Sequence, residues 1–186
     1  MSKEIKDWKI QMLRKEFEKE SDRAVVILVT SLIDQELTTL IRLYLLPCPN
    51  TKDEIFDSLN GPLNSLSSKI LFAHRLGLIS SKFARDLNIV RNIRNKFAHD
   101  VFGCNFNDGG VKQQVDELKK SINDLEEILK DEFGEGYEEF IKTHRGLFFV
   151  ISDLILNELD EKTRLVNPKE EALLENFYKD YDNNEM

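Results

Sequence analysis

Ten consecutive residues, Arg91 to Asp100 (RNIRNKFAHD), hold two arginines, two asparagines and a histidine inside a stretch of helical periodicity. On a helix that turns about 100° per residue, Asn88, Arg91, Asn92, Asn95 and His99 share one face. That face carries no Lys and no Glu. Asparagine competes with a helix for backbone hydrogen bonds, so three of them beside an Arg and a His point to polar recognition or chemistry rather than helix stability. A guanidinium grips two oxygens of a phosphate or carboxylate at once, and an imidazole titrates near neutral pH. His99 is therefore a candidate acid or base on a bound phosphodiester, and Arg94 a candidate grip for phosphate or carboxylate. Asn88, Arg91, Asn92, Asn95 and His99 are the candidates for binding.

The helix that positions them is expected from Ser81 to Phe102, with Ser80 or Ser81 as its cap. Phe83, Leu87, Val90, Phe97 and Val101 form its apolar stripe, at spacings of 4, 3, 7 and 4. Arg94 falls in the gap of seven, where a core residue belongs. A buried guanidinium requires a partner. A preceding helix, from about Ser21 or Asp22 to Leu46, offers Asp22, Asp34 and Glu36, so an internal ion pair of Arg94 with Glu36, Asp34 or Asp22 is predicted, fixing helix register. His99, near the end of its helix, also suits the negative end of the helix dipole. His74 and His144 stand apart, and no His/Asp/Glu group has ligand spacing, so neither metal nor other cofactor is expected. Cys48 and Cys104 lack paired spacing and read as free thiols; a Cys104–His99 pair would lack a third, orienting group.

The other elements also read as helices. An amphipathic segment covers Ile5 to Lys19. Thr51 with Glu54 resembles a capping box for a short helix to Ser58. A helix over Ser65 to Leu76 stops at Gly77. Val111 to Glu132 has Val115, Leu118, Ile122, Leu125 and Leu129 as its core stripe. A long helix covers Tyr137 to Glu161, and Asn167-Pro168 opens a last short one. No segment alternates like a strand. The fold class is all-α: a single-domain irregular bundle of six to eight helices over residues 1–180, with a frayed acidic tail at 181–186.

The chain has 186 residues, 41% of them hydrophobic, and a net charge of −8. Its pI is about 5.0. A protein whose main work is to grip phosphate backbones shows a basic surface, so direct sequence-specific DNA reading is not expected. LGLISSKFARDLNIVRNI has a superficial helix–turn–helix look, but its second helix needs burial on one side. The charged N-terminus lacks an apolar signal core, and no uninterrupted run of 18 apolar residues occurs. A cytoplasmic protein with no membrane segment is the expectation.

Residues 20–100 resemble the mannitol-operon repressor (MltR) family of bacteria. The matching pieces are ESDRAVVILVTSLIDQEL (20–37), LNGPLNSLSSKI (59–70), LGLIS (76–80) and DLNIVRNIRNKFAHD (86–100), in that order and spacing. The resemblance implies an all-helical fold and a role in bacterial transcriptional regulation without a recognisable DNA-binding motif. Action would then run through a protein partner or a small ligand, with a homodimer also open. Arg94-Asn95-x-x-x-His99 is in addition similar to the signature of HEPN domains, helical proteins that include metal-independent ribonucleases. That second resemblance implies RNA as substrate, with Arg94 and His99 acting on the scissile phosphate, usually across a dimer, and Asn95 assisting. A non-catalytic interaction module is the third reading.

Overall fold

The computed structural model of the chain describes residues 17, 19–50, 52–100, 103–133, 138 and 141–170. Among these, seven helices follow one another: α1 (Asp22–Tyr44), α2 (Glu54–Asp57), α3 (Leu66–Arg75), α4 (Ser81–His99), α5 (Gly109–Ser121), α6 (Leu125–Phe133) and α7 (His144–Leu165). The described residues contain no strand. The class is all-α, as the periodicity predicts. Most of the Ile5–Lys19 segment and the 181–186 tail lie outside the described residues.

Helix α1 is the centre of the bundle. It packs against α7, α4 and α3, while α5 packs against α4 and α7. Thus α1, α4, α5 and α7 form a closed ring, and α3 fills the corner between α1 and α4. Burial from several sides requires apolar residues nearly all round the helix. Val25, Val26, Val29, Ile33, Leu37, Leu40 and Ile41 supply them. The 23 residues of α1 are also long and apolar enough to cross a membrane by length and composition; here the apolarity serves the centre of a helical bundle.

Local signals set the helix starts. Ser21 caps α1, accepting from the Ala24 amide at 3.2 Å. Ser65 and Ser68 form a reciprocal capping box at α3, and Ser80 accepts from the Phe83 amide at α4. Gly77 ends α3 with φ 75°, a left-handed conformation that glycine adopts without steric cost. Four expectations need correction. The cap of α2 is Asp53, which accepts from Ile55, rather than Thr51, which lies outside the described residues. The predicted 111–132 helix is two helices: Asp124 takes φ 53° in the turn between them, a conformation short polar residues tolerate. That turn keeps Leu125 and Leu129 buried while Ile122 stays half-buried. α7 starts later than the periodicity predicts, because Thr143 caps it by accepting from Gly146. Asn167 and Pro168 are not helical, and the remainder of the predicted last helix lies outside the described residues.

The largest correction concerns α4. Its buried residues are Ala84, Asp86, Leu87, Ile89, Val90, Ile93 and Phe97. The stripe is turned by roughly half a residue step from the predicted one, at about 100° per residue. Ile93, not Arg94, fills the gap of seven. Arg94 is exposed, and among the described residues it makes no ion pair. Its guanidinium donates to Asn95 Oδ1 at 3.3 Å. Two of the expected anions are engaged elsewhere: Asp34 accepts from Lys69 of α3 at 2.7 Å, and Asp22 from Arg145 of α7 at 2.6 Å. Glu36 is half-buried on α1.

Ile93→Ala is therefore expected to cost about 2–5 kcal/mol, the range for truncating a fully buried aliphatic side chain. Arg94→Ala should change stability by no more than about 0.5 kcal/mol, as exposed substitutions do. Chemical denaturation of both variants checks this; the opposite ranking would return Arg94 to the core.

Candidate functional site on the two faces of α4

The outward face of α4 carries the predicted polar residues. Asn88, Arg91, Asn92, Asn95 and His99 centre about 180° from the buried stripe at 100° per residue. Arg91, Asn88 and Asn95 are half-buried; Asn92 and His99 are exposed. Asn88 Nδ2 turns back onto the Ala84 carbonyl at 2.8 Å. Arg91 reaches across to the Ser67 hydroxyl of α3 and donates to Asn92 Oδ1 at 3.3 Å. Its Nε is buried without a hydrogen-bond partner. Lys96 bonds the Gly110 carbonyl at 2.7 Å and ties α4 to the start of α5. Lys82, Arg85, Arg91, Arg94 and Lys96 make the helix strongly cationic on a chain of net charge −8; its one carboxylate, Asp86, faces inward.

Arg94 and His99 do not converge. Five residues apart, they project about 140° from each other around the helix axis. Cys104 does not complete a nucleophile with His99 either. Burial, followed by its hydrogen bond with Asp108, pushes the thiol up to about 11. It is protonated at neutral pH and a poor nucleophile.

The inward face holds a residue that the sequence reading did not single out. Asp86 sits on the core stripe, 8% exposed. The signal was present: Asp86, Val90, Ile93 and Phe97 follow the i, i+4, i+7, i+11 spacing of a buried face. Ser121, at the end of α5 and 7% exposed, places its Oγ 2.8 Å from both Asp86 Oδ2 and the Leu118 carbonyl. A hydroxyl has one proton for these two acceptors. The Ser121 hydroxyl therefore shares its one proton between Asp86 Oδ2 and the Leu118 carbonyl. Burial raises the carboxyl above its ordinary 3.8, and outweighs the opposing effect of the Ser121 hydrogen bond. Asp86 Oδ1 has no hydrogen-bond partner.

Asp86 forms part of the wall of a cleft of about 450 Å³. The cleft opens at one end of the bundle, where the start of α4 and the end of α5 meet α6 and the second half of α7. Phe83, Ile128, Ile151 and Ile155 supply apolar wall, and Lys82, Glu158 and Lys162 are also part of the lining.

No protein-family model matches the chain, and no curated protein matches it. Among solved structures, a chain from the X-ray structure of the MtlR–HPr complex of Escherichia coli is similar in fold. The TM-score is 0.57 with 14% identity, over 81% of this chain and 97% of that chain. The likeness establishes an MtlR-like helical fold, in agreement with the mannitol-operon repressor resemblance of residues 20–100.

The raised carboxyl of Asp86 has a pH signature. A group that holds its proton more tightly when folded contributes stability fully at acid pH, below its unfolded value. That contribution is lost as pH rises through the folded value. Asp86→Asn, which keeps a hydrogen-bonding partner for Ser121, should gain stability relative to wild type as pH rises from 4 to 7. Denaturation curves at several pH values measure the difference; a gap that stays flat with pH would mean that Asp86 titrates normally.

Proposed function

We propose that this chain is an MtlR-like transcriptional regulator that acts by docking a protein partner, with the outward face of α4 as its contact surface. The observation that carries the reading is the grouping of Arg85, Arg91 and His99 with three asparagines on that face of an otherwise acidic protein. Arginine is enriched at binding hot spots, and a cationic patch steers an acidic partner into place. The buried, unpartnered Nε of Arg91 adds a donor that a partner's carboxylate can satisfy. The E. coli protein of similar fold was crystallised as an MtlR–HPr complex, which makes HPr the first partner to test. Net charge and the burial of the inner face of α4 weigh against direct DNA reading.

The test is calorimetric titration of the chain with HPr. Binding is expected to weaken with added salt and to fall at least about tenfold with Arg85→Glu plus Arg91→Glu, while Lys130→Glu on α6 leaves it unchanged. Equal affinity in all three proteins would remove α4 from the interface. Submicromolar binding to one operator duplex by the purified chain, near physiological salt, would overturn the partner-mediated mechanism. The ribonuclease reading requires a second copy to bring Arg94 and His99 to one phosphate, given their angular separation. No cleavage of single-stranded RNA above a His99→Ala control is expected. Chelator-insensitive cleavage lost in that variant would replace regulation with catalysis.

A further inference from the structure

We infer that the cleft at the start of α4 is a binding site for a small organic amine: an ammonium group on Asp86, and an apolar body between Phe83 and the isoleucines of α7. The inference is independent of the docking face, which lies on the opposite side of the same helix.

Three observations converge. The cleft has the size of a small-molecule site, about 450 Å³, within the range of about 300–1,000 Å³ that such sites occupy. Its walls combine an apolar part, Phe83, Ile122, Ile128, Ile151, Leu154 and Ile155, with the charged residues Lys82, Glu158, Glu161 and Lys162. At the wall stands a carboxyl that is 92% buried, the complement of its 8% exposure, with one oxygen bonded to Ser121 and the other without a protein partner. Buried carboxylates are ordinarily paired with a cation or fully hydrogen-bonded. Asp86 has neither in full. Lys82 lines the same cleft but forms no ion pair with it, and Lys162 is held by Glu158 at 2.9 Å.

The chemistry of the missing partner follows. An alcohol would bring a donor but no charge. A carboxylate would repel the ionised form of Asp86. An ammonium group brings both a donor and the counter-charge, so the ionised carboxylate becomes favourable in its apolar surroundings. Phe83, half-buried in the lining, supplies an aromatic neighbour for a cation or an aromatic body. Asp86 Oδ1 is enclosed, so the ammonium meets the carboxylate as it turns about its soft χ2 torsion and exchanges the Ser121 bond for the new one. Binding makes and breaks no covalent bond to carbon: the ammonium pairs with the ionised carboxylate, and any proton the carboxyl carries passes to solvent.

The probes are phenethylamine, 2-phenylethanol and 3-phenylpropanoate, titrated against the full chain alone and followed by isoleucine methyl shifts in NMR spectra. Saturable binding of phenethylamine is expected, with shifts at Ile151 and Ile155, and with the alcohol and the acid at least about tenfold weaker. Asp86→Asn should lose at least tenfold in amine affinity while remaining folded. Ile155→Phe, which fills the cleft and leaves Asp86 in place, should lose binding too. No saturable amine shifts up to about 10 mM, where free energies of binding fall below those of specific sites, would overturn the proposal. So would unchanged amine affinity in folded Asp86→Asn, or preference for the alcohol. Because HPr is absent from this experiment, its outcome is separate from that of the docking test.

Discussion

The arrangement depends first on the carboxylate of Asp22, in the opening turn of the central helix. Its position at the N-terminus of α1 favours the negative charge. One oxygen accepts from Arg145 at the start of α7, and the other from the backbone amide of Phe106 at 3.1 Å in the loop before α5. Arg145 also binds the carbonyls of Phe17 and Glu20 and lies 4.7 Å over the Phe17 ring. One ion pair thus fixes where α1, α7 and the α4–α5 loop meet. The Phe106 ring then packs 5.2 Å from Phe97 and 5.3 Å from Phe148. Each such aromatic pair adds about 0.5–1.5 kcal/mol beyond its burial. Arg23 closes the same end by binding the Asp100 carbonyl that follows α4.

Closing that end sets the register of α4 and so the direction of every side chain on it. With Phe97 locked against Phe106, the helix must turn Ile93, Val90 and Asp86 inward and Asn88, Asn95 and His99 outward. At the opposite end α4 meets α5 through the Asp86–Ser121 bond at 2.8 Å. There the turn at Ile122–Asp124 interrupts the helix, and α4 and α7 leave the cleft between them. The Lys69–Asp34 pair holds α3 against α1 in a similar way, with the lysine side chain 8% exposed and the aspartate 36%. It is an internal register-fixing ion pair of the type the sequence analysis expects, but with a different cation.

That difference shows what was legible in the sequence. Helix starts were largely readable, because Ser21, Ser65 and Ser80 act through bonds three residues away. The polar face of α4 was readable, since five positions keep a common angle. The anions that need internal partners were partly readable too, because Asp22 and Asp34 sit among the apolar residues of α1. Their cations were not. Asp22 meets Arg145, 123 positions away, and Asp34 meets Lys69, 35 away. No local pattern encodes such separations. Arg94 was misplaced because the predicted stripe passed over Ile89 and Ile93; the true stripe differs by a rotation smaller than one residue step. Asp86 was missed for the same reason, as the correct stripe runs through it.

Helix α4 is therefore unusual on both sides. Asp86 weakens an otherwise apolar core face, and the asparagines weaken the helix on its outer face. Two such costs on one element, with the flanking bonds needed to hold it, mark α4 as the part of the bundle shaped by something other than stability.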